Sequence, residues 1–285
     1  MFKYGVNTFI WTENFSEKDV SLIERAKALG FDAIDIGIMD PDSFPTKQVK
    51  DKLKEVGIEA ITLTPMSVNS ANMIHTDPKI RENGVKFLKK LVDISVEIGA
   101  TILCGEIYAA AGYLTGKPRT KEEWKWSVEG MREVALYAKS KGNLILGQEC
   151  VNRFETHFLN TGEDTMKYCK DVGVDNVKVH LDSYHMMREE TNFTKAVEVC
   201  GKKYLGYVHT CENTRGIPGT GLVPWKEFFT ALKKIGYEAP LSIEAFDPSF
   251  TKINRITATW RYYTKTGEEL AVQGLRNLKA IEKSL

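Results

Sequence analysis

A single local pattern of apolar and polar residues recurs seven times along the chain. In each case a helix-like stretch ends at a glycine, and a mostly apolar run follows within a few residues, as in residues 31–36 after Gly30 and residues 177–181 after Gly173. Glycine is favoured in the left-handed conformation that closes a helix, and runs rich in apolar and β-branched residues are typical of strands buried on both faces. The pattern therefore predicts seven helix-to-strand junctions, at Gly30, Gly57, Gly99, Gly142, Gly173, Gly201 and Gly236.

A further strand near residues 4–9 and a last helix over residues 267–283 complete the predicted order of elements. Eight strands then alternate strictly with eight helices, which predicts parallel strands that close into a (β/α)₈ TIM barrel, an α/β fold. No linker-like composition interrupts the chain, so we expect one domain over residues 1–285. A doubly wound open sheet is the alternative, but no dinucleotide-binding fingerprint supports it.

The last four predicted strands each end at a residue that can bind a metal ion. Glu149 follows the fifth strand, Asp182 the sixth, His209 the seventh and Glu244 the eighth. Any one of these acids could instead cap a helix, but the carboxyl ends of barrel strands share one rim, so the four side chains should meet there. Three carboxylates in contact repel one another unless a cation lies between them. Oxygen-rich ligation with one nitrogen favours Mn²⁺, with Co²⁺ or Mg²⁺ as alternatives, over a structural zinc.

Three more polar residues follow these strand ends at short offsets. Glu155, His185 and Arg215 fall in predicted loops just beyond the proposed ligands. Each alone could be an ordinary surface charge. Together they offer a hydrogen-bond acceptor in Glu155, a ring that can donate or accept in His185, and a permanent positive charge in Arg215. This set suits a polyhydroxylated substrate with a carbonyl group.

Other candidate residues have simpler interpretations. His180 alternates with Asp182 along the sixth strand and is expected to be structural, while His75 and His157 are expected in loops. The glycine-rich segment 216–221 lacks the correctly spaced lysine of a phosphate-binding loop. We interpret it as a turn that brings backbone near the substrate.

Composition restricts the partners and the compartment. The formal net charge is +1, so no strong positive electrostatic field attracts nucleic acid or an anionic membrane. No apolar run is long enough to span a membrane. The number of cysteines, five, is odd, and no two of them form a CxxC motif. No secretory signal is visible at the N-terminus. We therefore expect a cytoplasmic enzyme with a small-molecule substrate.

At these residues the chain resembles the ketose 3-epimerases, the D-tagatose and D-psicose (D-allulose) 3-epimerase family of the xylose-isomerase-like barrel superfamily. The resemblance spans nearly the whole length and is densest at residues 149–155, 179–186, 208–215 and 221–225. It implies that Glu149, Asp182, His209 and Glu244 bind Mn²⁺ or Co²⁺, with Glu149 and Glu244 also serving as the catalytic acid/base pair. It further implies that Glu155, His185 and Arg215 hold a ketose around O1, O2 and O3.

The activity that this resemblance implies is inversion of C3 in a free ketose of the D-tagatose, D-psicose, D-fructose or L-ribulose type. One glutamate would remove the C3 proton to give a cis-enediolate and the other would return a proton to the opposite face. We expect a homodimer or a homotetramer. The segments 7–11, 63–66 and 105–108 depart from the family pattern. They would contact the far end of the sugar, so the preferred ketose stays open.

Four other functions compete with this interpretation. A ketose–aldose isomerase or a keto-sugar dehydratase could use much the same residues. An endonuclease of apurinic sites shares the superfamily but needs more metal ligands than the five histidines here readily supply. A sugar-binding protein without turnover is the non-enzymatic alternative, and the pair of acids argues against it.

Overall fold

The computed structural model describes all residues from 1 to 285, and its centre is a closed barrel of eight parallel strands. Each strand pairs with its neighbours in sequence, and β8 pairs with β1 to close the sheet. The predicted (β/α)₈ barrel is therefore confirmed. The strands are β1 Tyr4–Asn7, β2 Ala33–Gly37, β3 Glu59–Leu63, β4 Ile102–Gly105, β5 Ile145–Glu149, β6 Val177–Asp182, β7 Leu205–His209 and β8 Leu241–Ile243.

Ten α-helices surround the barrel, two more than the sequence predicted. They are α1 Leu22–Ala28, α2 Thr46–Val56, α3 Pro78–Ile98, α4 Lys121–Lys141, α5 Gly162–Val172, α6 Ser183–Glu189, α7 Phe193–Tyr204, α8 Trp225–Ile235, α9 Thr251–Thr257 and α10 Gly267–Lys283. The two unpredicted helices, α6 and α9, have seven residues each and follow β6 and β8. Two turns of helix are too short for a recognisable apolar period, so the expected strict alternation was wrong at these two positions.

The junction glycines behave as expected at five of the seven positions, and the exceptions are Gly142 and Gly201. Gly201 lies inside α7, and its φ of 56° and ψ of 179° are outside the left-handed helical region. Six of the seven have positive φ angles, from 56° at Gly201 to 90° at Gly30, whereas Gly142 has a φ of 170° and is extended. The left-handed conformation predicted for Gly142 was therefore wrong. It ends α4 as a C-cap in which its backbone N–H still donates to the carbonyl of Ala138.

The core has two layers, which the strand pleat separates. Outward-facing strand residues pack against the helices, and a second, smaller cluster fills the barrel interior. On β4 the alternation is clear, because Leu103 belongs to the outer layer while Ile102 and Cys104 belong to the inner cluster. On α10, Leu270, Leu275 and Leu278 are buried in the outer layer. None of the helices combines the length and the apolarity that a membrane span requires.

Candidate active site

The structure brings the four predicted metal ligands together at one end of the barrel. Glu149, Asp182 and His209 are the last residues of β5, β6 and β7, and Glu244 directly follows β8. All four are buried, and one ligand atom from each lies within 4.8 Å of those from the others. The Nδ1 atom of His209 is 3.6 Å from Glu149 Oε1 and 3.6 Å from Glu244 Oε1. Three carboxylates and an imidazole thus converge on one small volume, which we call the carboxylate cluster.

The carboxylate cluster fits a divalent cation. Glu149 Oε1 and His209 Nδ1 are buried but have no hydrogen-bond partner in the protein. Buried polar atoms are nearly always bonded, so these two atoms point to a ligand between them. Three oxygen donors and one nitrogen donor suit Mn²⁺, Co²⁺ or Mg²⁺. A second group, formed by Glu149, His180 and His209, also has potential ligand atoms within 4.8 Å of one another. It shares Glu149 and His209 with the carboxylate cluster.

Below the carboxylate cluster, Asp35 on β2 orients His209. His209 Nε2 lies 3.1 Å from Asp35 Oδ2, so the ring donates its Nε2 proton to Asp35 and turns Nδ1 towards the carboxylate cluster. Tyr207 and Ser242 also donate to the Asp35 carboxylate, at 2.7 and 2.8 Å. The sequence interpretation missed Asp35. The available signal was an acid between two isoleucines in a run predicted to be buried on both faces.

Burial and the neighbouring charges shift the protonation of the residues in the carboxylate cluster. Burial raises the pKa of Glu149 above its ordinary value, and it raises the pKa of Asp182 to about 7. Burial alone would lower the pKa of His209, but the carboxylates of Glu244, Asp35 and Glu149 outweigh it and raise that pKa well above the ordinary value. The metal-free carboxylate cluster therefore retains protons, and a metal ion must displace them when it binds.

A pocket opens directly above the carboxylate cluster, and all three predicted substrate-binding residues line it. Glu155, His185 and Arg215 form part of its wall together with Glu149 and Glu244, while Asp182 and His209 lie deeper. One placement differs from the prediction, because His185 lies in the first turn of the short helix α6 and not in a loop.

The three residues are held in different ways. Asn152 Nδ2 donates to Glu155 Oε1 at 2.7 Å, and the backbone N–H of Asn152 donates to His185 Nδ1 at 3.1 Å. Burial lowers the pKa of His185 well below the ordinary value, so the ring is neutral, and Arg215 Nη2 lies 3.3 Å from its Nε2. Arg215 Nη1 donates to Glu244 Oε2 at 2.6 Å, and its guanidinium lies 4.1 Å from the centre of the Tyr184 ring.

The glycine-rich turn 216–221 has a different role from the predicted one. None of its residues lines the pocket. It folds instead around the buried carboxylate of Glu212, which accepts hydrogen bonds from Gly219 N at 2.9 Å, Val223 N at 3.1 Å and Trp225 Nε1 at 3.1 Å. The interpretation of this turn as a substrate contact was therefore wrong.

Of the remaining histidines, His75 and His157 have the predicted positions, and the structural role expected for His180 stays a prediction. His75 and His157 lie in loops. His180 is buried inside the barrel with its ring centre 4.2 Å from that of His209.

The rest of the pocket wall includes Phe9 and Glu106, which belong to the segments 7–11 and 105–108 that the sequence analysis expected near the sugar. It also includes Phe246 and, from helix α9, Ile253 and Ile256, which the sequence analysis did not single out. The backbone N–H groups of Lys252 and Ile253 donate to the Glu13 carboxylate at 2.6 and 2.9 Å, which ties α9 to the loop after β1. The pocket is therefore enclosed by apolar side chains as well as by the charged rim.

Comparison with known proteins gives consistent relatives. A family model described as the xylose isomerase-like TIM barrel matches residues 23–281. The chain is 34% identical to an L-ribulose 3-epimerase of Methylomonas sp. (strain DH-1), covering 97% of this chain and 96% of that protein. It is 33% identical to a ketose 3-epimerase of Arthrobacter globiformis, covering 94% and 92%. The crystal structure of a D-allulose 3-epimerase from Methylomonas sp. in complex with D-allulose superimposes with a TM-score of 0.90 at 33% identity, covering 98% and 96%.

Proposed function

Because this chain belongs to the ketose 3-epimerase family of xylose isomerase-like TIM barrels, we propose that it is a metal-dependent isomerase that inverts C3 of free ketoses. Substrates of the D-tagatose, D-psicose, D-fructose and L-ribulose type all fit this proposal. The observation that supports it best is the position of Glu149 and Glu244. Both carboxylates reach one pocket from strands that are separated by two others, and both adjoin the predicted metal position.

The residues that would hold the metal are Glu149, Asp182, His209 and Glu244, with Mn²⁺ as the first choice and Co²⁺ or Mg²⁺ as alternatives. A bound divalent cation supplies Lewis-acid chemistry, because it withdraws electron density from the ketose carbonyl and stabilises charge that develops during proton removal.

Glu149 and Glu244 carry out the proton transfers in this proposal. One carboxylate removes the proton from C3 of the ketose, which leaves a cis-enediolate. The other carboxyl group then returns a proton to the opposite face of C3, so that the configuration inverts. A carboxylate is a weak base for such a carbon acid, and exclusion of water by apolar neighbours such as Phe246 strengthens the electrostatic interactions in the site.

The other three residues would position the substrate. His185 is neutral and lines the pocket, so its ring can form a hydrogen bond with an oxygen of the ketose. Arg215 is buried and already paired with Glu244, so it can hold that carboxylate and a substrate oxygen in fixed positions. Glu155 can accept hydrogen bonds from a hydroxyl group of the ketose.

Charge in the pocket favours a neutral sugar over a sugar phosphate. Four glutamates line the pocket, at positions 106, 149, 155 and 244, and Arg215 is the only arginine or lysine among the lining residues. Since Arg215 is already paired with Glu244, no free cation is available to neutralise a phosphate group.

We also propose that residues 1–285 form one domain. Both ends of the chain complete the same barrel, because β1 pairs with β8 and the Phe2 N–H donates to Glu282 of α10 at 2.8 Å. A homodimeric or homotetrameric assembly stays a prediction.

The proposed function can be tested with purified protein, Mn²⁺ and a panel of free ketoses in D₂O. We expect conversion of at least one ketose to its C3 epimer, with deuterium at C3 of the product and none at C1. Deuterium at C1 would indicate aldose–ketose isomerisation, and loss of water would indicate a dehydratase. Protein treated with a chelator serves as the control and should be inactive. Absence of turnover with every ketose in the panel would contradict the proposal.

A further inference from the structure

Glu106 occupies an unusual position in the pocket. It follows β4 directly, and it continues the inward-facing series of Ile102 and Cys104 by one further step, at the mouth of the barrel. The preceding residue, Gly105, has a φ of +117°, and a Cβ atom there would lie 2.5 Å from the backbone oxygen of Thr64. Only glycine suits such a close approach, so the backbone that carries Glu106 is tightly fixed.

The carboxyl group of Glu106 has no partner in the protein. The side chain is 7% exposed, its Oε1 atom is fully buried, and neither of its oxygens takes part in a protein hydrogen bond or an ion pair. The other pocket glutamates differ, because Glu155 accepts from Asn152 and Glu244 from Asn7 and Arg215, while Glu149 belongs to the carboxylate cluster. A buried carboxyl group without a partner is costly to fold, which points to a partner that arrives with the ligand.

The surroundings of Glu106 also define the chemistry of that partner. Burial raises the pKa of Glu106 well above its ordinary value, and the charges of Glu155 and Glu149 raise it further. The protonated form is therefore favoured, and a neutral carboxyl group offers one donor and one acceptor side by side. Hydroxyl groups of a sugar, each both donor and acceptor, match this pattern, whereas an anionic group does not.

The position of Glu106 around the barrel indicates which part of the ketose it meets. The metal and proton-transfer residues come from the ends of β5 to β8, whereas Glu106 comes from β4. The other pocket residues after β1, β3 and β4 are uncharged, as in Phe9, Leu63 and Thr64. When C3 of a ketose lies at Glu149 and Glu244, the carbons beyond C3 extend towards this otherwise uncharged wall.

We propose that Glu106 is a specificity-determining residue, whose carboxyl group binds the hydroxyl groups of the ketose beyond C3. This inference rests on the proposed epimerase function. It also provides a second reason for rejecting ketose phosphates, because a terminal phosphate would be placed against an acid that has no counter-cation.

The test compares Glu106→Leu and Glu106→Gln with the unmodified protein on D-psicose and on its 4-deoxy, 5-deoxy and 6-deoxy analogues. For the leucine variant we expect kcat/KM on D-psicose to fall about 10- to 100-fold, the range for removing one or two hydrogen bonds to a buried group. The fall should be mainly in KM, and it should nearly vanish for the analogue that lacks the contacted hydroxyl. The glutamine variant, which keeps one donor and one acceptor, should be affected less.

Thermal unfolding separates this role from a structural one. Because Glu106→Leu removes a buried group without a partner, its Tm should equal or exceed that of the unmodified protein. Glu282→Gln is the matched control, since Glu282 is a buried acid at the other end of the barrel that accepts from Phe2 N and Tyr4 OH. This control should lower the Tm and leave the ratio of kcat/KM between D-psicose and its analogues unchanged.

The possible outcomes distinguish the two proposals. If the unmodified protein epimerises D-psicose but the Glu106 variants lose equal activity on every analogue, or lose none, the role of Glu106 in specificity is refuted. A lowered Tm in Glu106→Leu would also refute it, because that result would assign Glu106 a structural role. If the unmodified protein epimerises no ketose, the proposed function itself fails, irrespective of Glu106.

Discussion

Replacement of Asp35 by asparagine tests the arrangement beneath the predicted metal position. Asp35 Oδ2 accepts from His209 Nε2 at 3.1 Å, and Oδ1 accepts from Ser242 Oγ at 2.8 Å, while Tyr207 donates to both oxygens at 2.7 Å. The single oxygen of an asparagine side chain cannot accept all of these bonds. In one orientation its NH₂ group faces the Nε2–H of His209, and in the other it faces two hydroxyl groups that must rearrange.

The expected consequence is weaker metal binding. Without a carboxylate to accept the Nε2 proton, the His209 ring is free to carry its proton on Nδ1, the atom that should ligate the metal. Loss of such an orienting partner typically lowers metal affinity by about 10- to 100-fold, which corresponds to about 1.4 to 2.7 kcal/mol of binding free energy. Asp35 is buried about one layer below the pocket and does not line it, so contacts with the ketose should be preserved.

The measurement is calorimetric titration of metal-free protein with Mn²⁺, for the unmodified protein and for Asp35→Asn. Ser242→Ala is the control, because it removes one donor to Asp35 but leaves the carboxylate on His209. It should weaken metal binding much less than Asp35→Asn. At saturating Mn²⁺ the Asp35→Asn variant should recover most of its epimerase activity. A folded Asp35→Asn protein with unchanged affinity for Mn²⁺ would refute the assignment of Asp35 as the residue that orients His209.

Three further predictions concern the carboxylate cluster and the substrate. Glu149→Gln and Glu244→Gln should each lower kcat by about 10² to 10⁴-fold, measured at saturating Mn²⁺ with metal occupancy determined by elemental analysis; near-normal rates in a metal-loaded variant would refute the two-base scheme. Removal of metal should lower the Tm, and this difference should shrink as the pH falls below 7. Burial raises the pKa of Asp182 to about 7, above the unfolded value of ~3.9, so its contribution stabilises the metal-free fold at low pH and is lost as the pH rises through 7. Free ketoses should have higher kcat/KM than the corresponding ketose phosphates, and a clear preference for the phosphates would show that the pocket charge has been misjudged.

Much of the fold could be predicted from sequence, because its signals are local. Most junction glycines mark a helix end, and the apolar run after each glycine marks a strand buried on both faces. Counting these strands is enough to predict the barrel. The four predicted ligands stand at strand ends, where the fold alone brings them together. Their convergence within 4.8 Å agrees with that reasoning, and their role as ligands remains to be tested.

The features that sequence reasoning missed depend on contacts between distant segments. Asp35 lies within β2, and its importance is visible only when β7 places Tyr207 and His209 against it. The helices α6 and α9 are too short for a periodic signal, and α9 is tied through Glu13, more than 200 residues earlier in the chain. The turn at 216–221 resembled a binding loop, but a buried acid just before it, Glu212, determines its shape.

The division of the pocket between the two halves of the barrel has a consequence for how such a protein can diversify. The residues proposed for metal binding and proton transfer lie at the ends of β5 to β8, whereas pocket residues such as Phe9, Leu63 and Glu106 lie at or after the ends of β1, β3 and β4. Substitutions in this part of the pocket wall can alter the accepted sugar while the chemistry stays intact. New substrate preferences can therefore arise by changes in the first half of the chain, and selection or directed evolution for a different ketose should find most of its useful substitutions there, at positions such as Phe9, Leu63 and Glu106.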